Sequence, residues 1–196
     1  MKRLIAGVFL SSVIVFPALA ALEEGDQAPD FTAKASLAGK EFYFSLNEAL
    51  KKGPVVVYFY PSAYTNGCNI EAHTFAEEKK NFEAVNATII GVSQDSIERL
   101  HDYSADPEYC AGKFPVASDM DGSIAAAYDL NTLNLPPGFE DTRGEVVKHA
   151  FTERTTFVIT PGNSIAATLS SANDGIGPID HVDQSLAMVK KIAAGK

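Results

Sequence analysis

Apolar residues along this chain fall into two rhythms. At residues 55–60 six β-prone residues, VVVYFY, run without a polar break, the pattern of a strand buried on both faces. ATIIGVS at 87–93 is a second such run, and KFPVASD holds a shorter strand near 114–117. Between the first two the period lengthens to that of a helix. From Ile70 to about Val85, the apolar residues Ala72, Phe75, Phe82 and Val85 share one face, with the charged EEKK run opposite. DSIERLHDYSA at 95–105 predicts a helix with Ser96 as N-cap and Glu98 and Arg99 behind it. GSIAAAYDL at 122–130 reads as a further helix, and HVDQSLAMVKKI at 181–192 as a closing amphipathic one. EFYFSLNEAL at 41–50 predicts a short strand and a helical turn, after the turn-rich GDQAPDF at 25–31. TTFVIT and SIAATLSS, split by PGN, predict an antiparallel hairpin. NTLNLPPGFEDTRGEVVKHA, residues 131–150, is an irregular excursion, and one of that length is uncommon unless it borders a site.

The order β-α-β-α-β-α-β-β-α calls for an α/β sandwich of three layers, with helices on both faces of a central sheet. The terminal hairpin makes that sheet mixed, which is the thioredoxin-like arrangement. Active residues in open α/β sheets gather at the carboxyl ends of the central strands, and Cys68 falls there.

Composition narrows the class. The 196 residues are 46% hydrophobic and 21% charged, as expected of one globular domain, taken to run from residue 21 to 196. A net charge of -9 argues against nucleic acid or anionic membrane as the main partner and favours solubility. The first twenty residues read differently. Lys2 and Arg3 precede the apolar run LIAGVFLSSVIVF, and Ala18 and Ala20 follow in an A-x-A arrangement. This predicts a signal peptide over 1–20, its apolar run too short for an ordinary span; an uncleaved anchor is the competing reading. Its removal would take the charge to -11 and implies export, most simply to a bacterial periplasm, with no membrane contact afterwards.

The chain has two cysteines, and one sits where the strand at 55–60 turns into a helix. A thiol is a weak nucleophile until ionised, and a helix N-terminus favours the thiolate. Thr65, three residues earlier, can fold its hydroxyl back toward the sulfur. Pro61 ends the strand, donates no N–H and can screen a pocket from water. Asn66-Gly67 supplies a tight turn that lets backbone approach a small ligand. Together these residue types suit a small, dry, positively polarised pocket around a reactive sulfur with a depressed pKa.

The segment Pro61-Ser-Ala-Tyr-Thr65-Asn-Gly-Cys68 resembles the P-x-x-x-T-x-x-C motif of the peroxiredoxins. Arg154 in ERTTFVIT resembles the arginine that precedes a late strand in that family, and GDQAPDF, GVSQDS and PVASDMDG resemble family segments in order. The resemblance spans Gly25 to Ile192. Glu71 matches an acidic position of the Q-type (bacterioferritin-comigratory) subgroup, where it supports the network around the arginine. The resemblance implies thiol-dependent reduction of hydrogen peroxide and organic hydroperoxides, without metal or organic cofactor. Cys68 would attack peroxide, with Thr65, the Cys68 N–H and Arg154 as donors and Pro61 as shield. It also implies a thioredoxin-like or other thiol protein as reductant, and a monomer or homodimer. Cys110 is the candidate resolving cysteine, on the analogy of two-cysteine members that carry theirs after the second central strand.

Other readings remain open from sequence. Cys68 and Cys110 could form a structural disulfide in an exported thioredoxin-like domain with a binding role only. A dithiol oxidoreductase or copper-delivery protein needs C-x-x-C or C-x-x-x-C, and CNIEAH has neither. Cys68 with His73 is a conceivable metal pair without a third ligand at convincing spacing. The chain also departs from the subgroup: His73 stands where a second cysteine often lies, ADPEYCAG is longer, and no C-terminal cysteine exists to support a typical two-cysteine dimer.

Overall fold

A computed structural model describes residues 21–195; the expected signal segment at 1–20 lies outside the described residues. In chain order the elements are β1 (Thr32–Leu37), β2 (Lys40–Ser45), α1 (Leu46–Leu50), β3 (Val55–Phe59), α2 (Asn66–Glu83), β4 (Thr88–Ser93), α3 (Ile97–Ala105), β5 (Val116–Ser118), α4 (Ser123–Ala127), β6 (Thr132–Leu133), β7 (Phe151–Thr152), β8 (Thr155–Ile159), β9 (Ile165–Ser170), α5 (Ser171–Asp174) and α6 (Pro178–Ala193). Seven strands form one mixed sheet in the order β2-β1-β5-β4-β3-β8-β9. Strands β3, β4 and β5 run parallel, and β8 returns antiparallel beside β3. This is the expected thioredoxin-like α/β arrangement.

Strand β3 shows why the sheet must be covered twice. Val55, Val57 and Phe59 enter one core with Leu46 and Leu50 of α1 and Ala125 of α4. Val56 and Tyr58 point the other way, into a core shared with Phe75 and Phe82 of α2, Leu100 of α3 and Val182 of α6. The unbroken apolar run is thus the pleat alternating between two buried faces. In β4, Gly91 is required by packing: a Cβ there would lie 2.6 Å from the Tyr58 ring. That ring stacks on Phe75, with centroids 4.6 Å apart, so the glycine lets strand and helix close over the aromatic layer.

Several boundaries differ from the sequence reading. Strand β1 was not expected, because TAKASL carries small residues of weak β-propensity. Strand β5 begins at Val116, not Phe114, since Pro115 has no N–H to give the ladder. Helix α2 starts four residues before the apolar period is visible, because Asn66, Gly67 and Asn69 leave Cys68 as the one buried side chain of its first turn. Helix α4 stops at Ala127, just before Asp129 turns left-handed at φ 55°. Ser96 caps α3 as expected, accepting from the Arg99 N–H at 3.4 Å. The 131–150 excursion is pinned at its ends, where β6 pairs antiparallel with β7.

Candidate active site

Strand β3 ends at Phe59, and the chain turns through Pro61–Thr65 before α2 begins at Asn66. Cys68 is the third residue of that helix and is 1% exposed. Arg154, just before β8, reaches across the sheet end and donates from Nη2 to the Cys68 sulfur at 3.3 Å. Its other arm donates from Nη1 to Oε2 of the buried Glu71. A Cβ at Gly67 would lie 3.0 Å from Arg154 Nη2, so the glycine is what lets the guanidinium lie against the helix start. Glu71 is one helical turn beyond Cys68, so one planar fork serves both sulfur and carboxylate.

Thr65 is the N-cap residue of α2, yet its side chain does not cap the helix. Its hydroxyl donates to the Ser62 carbonyl at 2.9 Å while standing where it also favours a Cys68 thiolate. With one proton to give, it must choose between those acceptors. Pro61 is half-buried at the strand end. The structure therefore brings Thr65, Cys68 and Arg154 together, with Glu71 on the arginine as the resemblance implied and Pro61 at the strand end before them.

The charges around the sulfur oppose one another. Burial pushes the Cys68 thiol up; Arg154 and then Thr65 pull it down, and Glu71 pushes it up again. The net direction is upward, which corrects the depressed thiol expected from sequence. The physical reason is closure: a sulfur shut from water has lost the solvation that an anion needs. Burial also pushes the Glu71 carboxyl up to about 7, opposed by Arg154.

Cys110 lies beyond α3 in a run of turns and is buried in the same core as Cys68. Both cysteines are free thiols, so no disulfide joins them. Asp106 organises the turns: its side chain accepts from the Glu108 N–H at 2.9 Å, and its carbonyl from the Ala111 N–H at 2.8 Å. Ala111 and Gly112 both take left-handed backbone, φ 52° and 65°. Burial pushes the Cys110 thiol well up, and Asp106 adds to the effect. From Pro107 the segment runs as a series of turns and forms no helix. Tyr103 links the two cysteine segments, its hydroxyl donating to the Cys68 carbonyl at 3.0 Å and its ring lying 5.5 Å from that of Tyr109.

Sequence reading missed the groups that hold the turn before the cysteine. Asp95, at the carboxyl end of β4, accepts from the Ala63 N–H at 2.7 Å. Arg99 donates to the Ala63 carbonyl at 2.9 Å and pairs with Asp95 and with Asp141 of the excursion. Thr142 donates to the Tyr64 carbonyl from both N–H and hydroxyl, at 2.9 and 2.8 Å. Tyr64 has a left-handed φ of 61°, and the Arg143 guanidinium covers its ring 3.3 Å from the centroid. The position of Asp95 at a central strand end was the available signal; the excursion gave none beyond its length. Among the described residues no cluster of three or more His, Cys, Asp or Glu is placed to hold a metal. A cavity of about 560 Å³ lies elsewhere, lined by Thr32, Lys34, Tyr43 and Met120 among others, and contains none of these groups.

Comparison with known proteins agrees with this geometry. The AhpC/TSA family pattern matches residues 24–168. A Mycobacterium tuberculosis protein carrying the peroxiredoxin name is 31% identical over 150 residues, covering 76% of this chain and 86% of its own. The crystal structure of peroxidoxin BcpB from the same species superposes with a TM-score of 0.70 at 29% identity, covering 87% of this chain and 98% of that one. Peroxiredoxin Q of Xanthomonas campestris gives 0.63 at 28% identity, over 82% and 90% of the two chains. A thioredoxin-like sheet, a cysteine closed into a helix start and family matches over most of its length place this chain in the AhpC/TSA family, as a peroxiredoxin and hence a thiol peroxidase.

Proposed function

We propose that Cys68 is the peroxidatic thiol, acting on hydrogen peroxide and organic hydroperoxides. The observation that carries this reading is Arg154 Nη2 at 3.3 Å from the Cys68 sulfur, in a site closed to water. The Cys68 thiolate attacks one peroxide oxygen, the O–O bond breaks, and Cys68 becomes a sulfenic acid as water or an alcohol leaves with a proton. Negative charge builds on both oxygens in that displacement. Arg154 and the Cys68 N–H are fixed donors that stabilise it, the Thr65 hydroxyl joins them once it turns from the Ser62 carbonyl, and Pro61 shields the pocket. No metal or organic cofactor takes part.

Cys110 is the resolving cysteine in this proposal. Its thiolate attacks the Cys68 sulfenic sulfur, water leaves, and an intramolecular disulfide forms. Both thiols are closed into the core and Cys110 is held un-ionised by burial, so this step needs local unwinding of 66–70 and 105–112. A thioredoxin-like or other dithiol protein then supplies two electrons by exchange. The expected export through cleavage at residue 20, to a periplasm, completes the proposal; N-terminal sequencing of protein recovered from the cell envelope tests it. The chain works as a monomer or homodimer.

The test is thiol trapping. After one equivalent of hydrogen peroxide, alkylation and mass spectrometry should find a Cys68–Cys110 peptide and no free thiol. A stable sulfenic acid on Cys68 beside an alkylatable Cys110 would mean that an external thiol resolves Cys68. Oxidation at Cys110 with Cys68 untouched would overturn the assignment of the nucleophile.

A further inference from the structure

His149 and Asp95 lie outside the reacting set, yet they hold the turn that carries it. His149 comes from the end of the excursion and is 15% exposed on its side chain, against a fully buried Asp95. Its Nδ1 faces the Ala150 carbonyl at 2.9 Å. Its Nε2 faces Asp95 Oδ1 at 2.8 Å. A carbonyl and a carboxylate only accept, so both ring nitrogens must carry hydrogen. Ser62 is consistent with that: its hydroxyl gives its proton to Asp95 Oδ1 at 2.9 Å and presents its oxygen to Nε2 at 3.3 Å.

The charges balance only with the ring protonated. Facing His149 are Asp95 from the end of β4 and Arg99 from α3, which itself pairs with Asp95. On the excursion, Asp141, Arg143 and Glu145 complete the group, joined to Arg99 and to one another. With His149 charged there are three cations and three anions; with the ring neutral one anion is left over. From that set Asp95 and Arg99 hold the N–H and the carbonyl of Ala63, two residues before Thr65.

We propose that His149 is a positioning residue of the peroxidase reaction: as an imidazolium it fastens the excursion onto Asp95 and so keeps the 62–65 turn, with Thr65 and Cys68, in its reactive form. Burial opposes the charged ring, but Asp95 outweighs it and the His149 pKa lies above its ordinary value. A pKa raised by folding contributes stability that is complete below the unfolded value and lost as pH rises through the folded one. The fastening therefore loosens on the alkaline side. The inference rests on Cys68 being the peroxidatic thiol.

Three measurements on the full reduced chain test it. In nitrogen-labelled protein at about pH 6, the His149 ring should show both nitrogens protonated; a single neutral tautomer there overturns the proposal. The amide-exchange protection factor of Ala63 should fall as the His149 signal titrates, and a factor indifferent to that titration overturns it. Third, single-turnover oxidation by hydrogen peroxide is compared between wild type and His149→Gln. The wild-type advantage should shrink by roughly threefold or more from about pH 6 to about pH 9, because only the wild type loses a charge. Taking the quotient removes the thiol ionisation common to both. A quotient constant across that range means that His149 is structural only and contradicts the proposal. If Cys68 is not oxidised in either protein, the peroxidatic reading fails, and the ring and exchange measurements still decide the fastening.

Discussion

At the scale of single residues, Cys68 illustrates two opposed demands. The sulfur must be shut away from water for fixed donors to act strongly on the peroxide oxygens, and the same closure pushes its thiol up. Arg154 is the largest influence in the other direction, with Thr65 behind it. Arg154→Lys keeps a charge but loses the fork that joins Cys68 to Glu71. We expect single-turnover oxidation to slow by about 10-fold or more; an unchanged rate would show that charge alone suffices. Glu71→Gln separates two effects. Removing its charge removes an influence that raises the Cys68 pKa, so the thiolate absorbance should appear at lower pH. Arg154 loses its charged anchor at the same time, so oxidation of the already ionised thiol should slow. A variant that is faster at every pH would contradict the anchoring role. The motif residues were legible because their chemistry needs particular side chains at fixed spacing. The direction of the Cys68 shift was not, since it depends on how completely the fold closes over the sulfur.

At the scale of elements, the two central strands and the helices that cover them were legible because β3 and α2 each commit a whole buried face. Strand β1 was not: its inward residues Ala33 and Ala35 are small, and its place is set by the neighbours β2 and β5. The excursion was legible only as an irregularity, since its role comes from backbone contacts at Ala63 and Tyr64 that no periodicity reports. The layer of Tyr58 and Phe75 between β4 and α2 fixes how α2, and hence Cys68, sits over the sheet. Gly91→Ala should displace the Tyr58 ring and lower the denaturant midpoint, at a cost of about 1–3 kcal/mol. It should also slow Cys68 oxidation by moving α2. Phe75→Ala opens a cavity in the same layer and should cost about 3–5 kcal/mol. Equilibrium unfolding in urea checks both, and a midpoint within error of wild type would mean that the layer does not carry α2.

At the scale of the whole molecule, His181 responds to pH in the sense opposite to His149. His181 is fully buried, with the Thr156 hydroxyl on Nδ1 and the Ser171 hydroxyl on Nε2, each at 2.9 Å. Hydroxyls can donate or accept, so this ring is satisfied when neutral, unlike that of His149. Burial, then Arg154, pulls its pKa down to about 4. A histidine depressed by folding binds protons more readily when unfolded, so stability falls as pH drops from the ordinary histidine value towards about 4. The stability gap between wild type and His181→Gln should narrow over that window; a gap that holds constant would show that His181 does not report acid lability. The family match over residues 24–168 gives the molecule its thiol peroxidase class, and in the mechanism proposed above that activity turns on one sulfur, Cys68. The most direct test of that claim compares reduced wild type with Cys68→Ser, each mixed with one equivalent of hydrogen peroxide and followed for peroxide loss. Wild type should consume the peroxide stoichiometrically while the folded variant leaves it intact, and a Cys68→Ser protein that still consumes peroxide at a comparable rate would contradict the account.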